Sequence, residues 1–149
     1  MKITSAFDGG NIEVIDASDP SDVQLAVRVD ENAEHLQWFH FRVSGAAGVP
    51  LTLRITNASK CSYPDGWVDY KAVGSSDRNT WRRLDTDYID GELVIRVTPE
   101  AGAFYVATFA PYAHERHLNL LAHCASSPLA QVSRLGATLD GLDLDKVEL

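Results

Sequence analysis

A chain of 149 residues and 16.3 kDa, 45% hydrophobic and 23% charged, has the length and composition of one globular domain able to bury a core. Its 13 basic and 21 acidic residues give a net charge of −8, which excludes a general nucleic-acid binder, because phosphate contacts need a basic surface. No apolar run approaches the roughly 20 residues of a spanning helix, and Met1-Lys2-Ile3-Thr4-Ser5 leads straight into acidic and glycine residues without a signal-peptide core. The expectation is a cytoplasmic protein with no membrane and no nucleic-acid partner.

Along the chain the dominant period is two. Asp8-Gly9-Gly10-Asn11 and Asp19-Pro20-Ser21 are turn chemistry, and between such turns Val23, Leu25, Val27 and Val29 alternate with Gln24, Ala26, Arg28 and Asp30. Gln37-Trp38-Phe39-His40-Phe41-Arg42-Val43-Ser44 reads as a strand with Gln37, Phe39, Phe41 and Val43 on one side and Trp38, His40 and Arg42 on the other. Because the second side also carries large rings, it too must lie against something, either a partner domain or another part of this domain. Leu51, Leu53 and Ile55 alternate next, then Leu93, Ile95 and Val97, and Phe104 to Phe109 forms a continuous apolar strand. Short strands separated by Gly, Pro and Asp turns predict a mainly β fold, an antiparallel jelly-roll-like β-sandwich.

One short C-terminal helix is predicted over Ala113 to Ala125, where Leu118, Leu121, Ala122 and Ala125 keep helical spacing and Ser126-Ser127-Pro128 ends it. Residues 132–139 and 142–149 then flank Asp140-Gly141, the strongest short-range signal for a β-hairpin. This places a sandwich domain over 1–131 and a terminal hairpin over 132–149. An isolated hairpin is marginal, so this one either joins the sandwich or begins a unit beyond Leu149.

Candidate sites are few. Cys61 and Cys124 form no CxxC pair, and reduced thiols are the expected state. His114 and His117 lie about 60° apart on a helix and His123 about 180° from His114, so the three cannot converge on one metal. Asp140, Asp143 and Asp145 lack the spacing of a calcium loop and read as solvated hairpin positions. Tyr63 and Trp67 flank Pro64-Asp65-Gly66 and are either recognition anchors or aromatics folded back on the sandwich, the second being favoured. Trp38, His40 and Arg42, with Tyr112 and Arg116, are the candidates for a domain-facing surface. No residue is assigned a catalytic or metal-ligating role.

Six phrases in order resemble one family. They are Phe7-Asp8-Gly9-Gly10-Asn11-Ile12, the stretch Gln37 to Ser44, Leu53-Arg54-Ile55-Thr56-Asn57, and Ser62-Tyr63-Pro64-Asp65-Gly66-Trp67. Phe109-Ala110-Pro111-Tyr112 with Glu115-Arg116-His117 follows, and then the hairpin Leu135 to Asp145. Together they are similar to the N-terminal domain of the cytosolic-type zinc metallocarboxypeptidases, whose eukaryotic members trim glutamates from proteins; the hairpin resembles the opening strands of the catalytic domain. The resemblance implies an accessory domain that docks on and supports a C-terminal catalytic domain. That catalytic domain would hold zinc and hydrolyse C-terminal residues of peptides or proteins. The family holds zinc with His-x-x-Glu and a distant His, and none of the five histidines here has Glu three residues on, so this chain is expected to be inactive alone.

Two other readings compete. A free-standing binding module for protein or carbohydrate would use Trp38, Tyr63, Trp67 and Trp81, and a small enzyme in its own right is disfavoured because no nucleophile or metal constellation can be assembled. An uncovered docking face predicts self-association when the chain is made alone.

Overall fold

The computed structural model describes residues 1–30 and 33–149. In chain order its strands are β1 (Lys2–Thr4), β2 (Glu13–Asp16), β3 (Val23–Ala26), β4 (His40–Ser44), β5 (Leu51–Ile55) and β6 (Val73–Ser75). They continue with β7 (Arg82–Arg83), β8 (Asp85–Ile89), β9 (Glu92–Val97) and β10 (Ala103–Ala107), then the helix α1 (His114–Ala125), β11 (Gln131–Ala137) and β12 (Asp143–Glu148). They divide into two compact units, Met1–Pro111 and Tyr112–Leu149.

The first unit is a sandwich of two five-stranded sheets, ordered β1-β4-β10-β6-β7 and β2-β3-β5-β9-β8. Alternation decides which residues meet between them. Phe41 and Val43 of β4 and Phe104 and Val106 of β10 face Val23, Leu25, Leu51, Leu53, Ile55, Leu93 and Ile95, all fully or almost fully buried in one core. Burying each such side chain is worth about 2 kcal/mol. One pairing departs from the antiparallel expectation: β3 runs parallel to β5, Leu25 opposite Ile55. The connection that permits this includes the long path through β4, which crosses to the other sheet.

The alternating stretches at Val23, Leu51 and Leu93 form strands as expected, but β4 begins at His40 rather than Gln37. Before it, Phe39 uses Thr108 instead of a regular ladder: its N–H donates to Thr108 Oγ1 at 2.9 Å, and its carbonyl accepts from Thr108 N–H at 3.0 Å. Gln37 is taken up by the 62–67 loop, its Oε1 accepting from Tyr63 N–H at 3.0 Å.

In the second unit α1 starts and stops within a residue of the predicted helix and has no fully buried residue. β11 and β12 pair antiparallel through a turn at Asp140-Gly141, where Gly141 takes φ 81° and Thr138 N–H donates to Leu142 O at 2.8 Å. This two-stranded sheet leaves Leu135, Leu139, Leu142, Leu144 and Leu149 exposed. Among the described residues no helix is long and apolar enough to cross a membrane.

Candidate functional site

The outward face of the first sheet holds the most unusual chemistry. His40 and Arg42 alternate with the core residues Phe41 and Val43, so they must point outward, and the register sets Thr4 and Tyr105 on either side of Arg42. Yet His40 is only 1% exposed. Loops and the neighbouring β10 cover it: Phe7 stands edge-on at 4.9 Å between ring centroids, Trp81 at 5.9 Å, Trp38 at 6.0 Å and Tyr105 of β10 at 6.3 Å. Within the unit, the segments carrying Phe7 and Trp81 close over His40, while Trp38 stays half-buried and packs on Phe109 at 4.9 Å.

This enclosure has an electrostatic consequence. Among the described residues neither His40 ring nitrogen has a hydrogen-bond partner. Burial, then the nearby Arg78 guanidinium, push its pKa from 6.5 down to about 4, against opposing effects of the Gly9 carbonyl and Asp8. His40 is thus a neutral imidazole in an aromatic box. Arg42 is half-buried, and its Nε is also buried without a partner.

The glycine turn makes the box possible. Trp38 Nε1–H donates to Gly9 O at 2.7 Å, and Gly9 sits at φ 68°, where a Cβ would strain the backbone. A Cβ on Gly10 would run into the Ser5 carbonyl oxygen, so the chain closes there only with glycine. On the other flank the 75–81 turn is built on Asp77, whose Oδ1 accepts from Asn79 N–H at 2.8 Å, Thr80 N–H at 2.7 Å and Ser75 Oγ–H at 2.9 Å. The Thr80 and Asn79 amides, with Ser75, hold the Asp77 carboxyl at about 2. The turn presents Arg78, at φ 64°, with its guanidinium 5.5 Å from the Tyr105 ring and 5.9 Å from the Phe7 ring.

The remaining candidates lie elsewhere. Trp67 is a core residue, not a recognition anchor: it is 2% exposed, its indole N–H donates to Ala58 O at 3.1 Å, and it packs on Phe39 and Tyr70. The 3-10 turn Pro64–Trp67 swings it inward while leaving Tyr63 outside, 60% exposed beside His35. In the second unit Arg116 lies over the Tyr112 ring at 5.5 Å, and His117 pairs with Asp145. Asp143 pairs with Arg134, so both hairpin carboxylates have side-chain partners. Cys61 and Cys124 are free thiols, and burial pushes the Cys61 thiol up.

Sequence reasoning missed Arg78 and Tyr105 and did not connect Phe7 or Trp81 with His40, which they reach from loops and a neighbouring strand. Among the described residues no group of three His, Cys, Asp or Glu side chains is placed to hold a metal ion.

A sandwich of two five-stranded sheets is followed by a helix and a two-stranded hairpin. Residues 3–109 match the family model described as the cytosolic carboxypeptidase N-terminal domain, and the chain belongs to that family. A curated relative from Zymomonas mobilis, itself uncharacterised, is 44% identical over 145 residues, 97% of this chain and 38% of its own length. A protein from Shewanella denitrificans assigned as carboxypeptidase A superposes with a TM-score of 0.93 at 48% identity, over 99% of this chain and 39% of that one. A metallo-carboxypeptidase from Pseudomonas aeruginosa, solved with (2-guanidinoethylmercapto)succinic acid, gives 0.91 at 37% identity, over 99% of this chain and 40% of that one. This chain spans about two fifths of the length of these relatives.

Proposed function

We propose that this chain is the accessory N-terminal part of a zinc carboxypeptidase, with no catalytic group of its own, and that it docks on and supports a catalytic domain following Leu149. The observation that carries this is the hairpin. The strands, turn and last residue of the hairpin expose five leucines beside a sheet of only two strands, in a chain covering only 38–40% of metallocarboxypeptidase chains. On this reading the sandwich domain is 1–131, and 132–149 supplies the first strands of the catalytic domain. On the same reading Trp38, His40 and Arg42 in the first unit, and Tyr112 and Arg116 in the second, are the candidates for contact with the catalytic domain, and the exposed Tyr63 is a candidate for contact with a substrate or partner.

The chemistry, hydrolysis of C-terminal residues of cytoplasmic peptides or proteins, then resides in the following domain, where zinc would supply an activated water. The test uses the full-length protein. It should release C-terminal residues from a peptide set, lose that activity to a chelator and regain it with zinc, while the 149-residue chain releases nothing. Hydrolysis by the 149-residue chain itself would overturn the reading.

A further inference from the structure

The arginines on the two outer faces of the sandwich are partnered differently. On the second sheet, Arg54 holds Asp22 at 2.8 Å and Glu92 at 2.6 Å, and Arg96 holds Asp87 at 2.6 Å and Asp85 at 3.5 Å. The strands of that sheet carry Glu13, Asp16, Asp85, Asp87 and Glu92. The strands of the first sheet carry Lys2, Arg42, Arg82 and Arg83, and not one carboxylate. Arg82 is matched by Glu100 at 3.2 Å, and Arg83 donates to Lys71 O at 2.6 Å.

That leaves Arg42 and Arg78. Among the described residues neither has an ion-pair partner, in a chain whose net charge of −8 makes carboxylates plentiful. Arg42 keeps a buried, unbonded Nε, and the neighbouring His40, 1% exposed, has both nitrogens unbonded. Arg78 is a non-glycine at φ 64°, a conformation held while its guanidinium stays over Phe7 and Tyr105. Asp77, adjacent in sequence, is committed to its own turn.

We propose that Arg42 and Arg78, floored by His40 and framed by Phe7 and Tyr105, receive carboxylate side chains of the polypeptide that follows Leu149 in the full-length protein. This rests on the reading that a catalytic domain follows. Planar guanidinium groups with their donors unused match carboxylates geometrically as well as by charge. Some three fifths of each relative's length lies outside the matched region, and a covalently attached segment meets this face at high effective concentration. A second copy of this chain is the poorer occupant, because two bodies of charge −8 repel.

The test is carboxylate footprinting of the full-length protein with a carbodiimide and glycine ethyl ester, read by mass spectrometry. In an Arg42→Gln, Arg78→Gln variant, one or more Asp or Glu residues beyond position 149 should gain at least threefold in labelling. Arg54→Gln should leave those residues unchanged, and Arg42→Lys, Arg78→Lys should fall between. Unchanged labelling beyond position 149 overturns the proposal, as does a variant that only converts a dimer to a monomer. Phenylglyoxal modification of the wild-type protein needs no variant. Arg78, exposed in this chain, should be modified at least fivefold more slowly than Arg28, which is likewise exposed, and an equal rate overturns the receptor. Zinc-dependent hydrolysis measured on the same preparation separates the two ideas. Activity with unchanged labelling sinks the receptor alone, whereas a native chain ending at Leu149 sinks both.

Discussion

His117 Nε2 and Asp145 Oδ2 lie 3.0 Å apart, joining α1 to the outgoing strand of the hairpin across 28 residues of chain. The carboxylate side is largely buried, so this contact is worth more than a surface pair, about 1 kcal/mol. Asp145→Ala should therefore raise amide exchange in the middle of α1 by roughly fivefold while leaving the sandwich strands unchanged. Equal exchange in both proteins would mean that apolar packing alone holds the helix.

His40 makes the sandwich acid-sensitive. Its pKa is about 4 in the fold against 6.5 ordinarily, so the unfolded chain binds the proton first. Stability is full above pH 6.5 and falls as the pH is lowered towards 4, by up to about 3 kcal/mol. Arg78 adds repulsion to the charged ring, and the Gly9 carbonyl and Asp8 offset part of it. Urea unfolding monitored at pH 7.5 and pH 4.5 should show that His40→Phe removes much of the difference between the two. A wild-type protein equally stable at both would count against a buried neutral imidazole.

Trp67 and Tyr63 separate packing from exposure within one loop. Trp67→Ala should cost about 3–5 kcal/mol, since it empties a core site and orphans the Ala58 carbonyl. Tyr63→Ala should change stability by less than about 0.5 kcal/mol. Thermal melts of the two variants decide this, and a mild effect at Trp67 would contradict its core placement.

Gly74 marks a close approach inside the first sheet. A Cβ there would sit 2.5 Å from Phe104 Cζ and 2.9 Å from Leu84 Cδ2, both in the core. Gly74→Ala should destabilise by about 1–3 kcal/mol through overpacking. Gly66→Ala, where a Cβ meets nothing within 4 Å, is the control and should be close to neutral. Comparable denaturant midpoints for the two would refute the packing.

The strands legible in the sequence are those whose alternation faces the core. Leu51, Leu53 and Ile55, and Leu93, Ile95 and Val97, announce themselves because every second residue must be buried. β2 could not be read this way: all four of its residues are exposed, and it exists through its ladder to β3. β1, β6 and β7 are only two or three residues long, and β1 and β6 depend on partners some 30 or more residues away, while β7 pairs only with the short β6. The doubled apolar character of the Trp38-to-Arg42 stretch did signal a covered second face. What it could not name was the cover, because Phe7 and Trp81 arrive from loops whose path is set by Gly9, Gly10 and Asp77. Trp67 was ambiguous for a related reason, since a single 3-10 turn decides whether a loop aromatic points in or out. One signal in the sequence did bear on the outer face: none of the strands that became the first sheet contains an acidic residue.

The account's central claim is that this chain serves a larger carboxypeptidase. Its most direct test is the mass of the native polypeptide, read by immunoblot of source cells with antibody raised against residues 1–149. The account predicts a single band far heavier than 16.3 kDa, as a chain in which the proposed catalytic domain follows Leu149 requires. A band at the chain's own mass would contradict it.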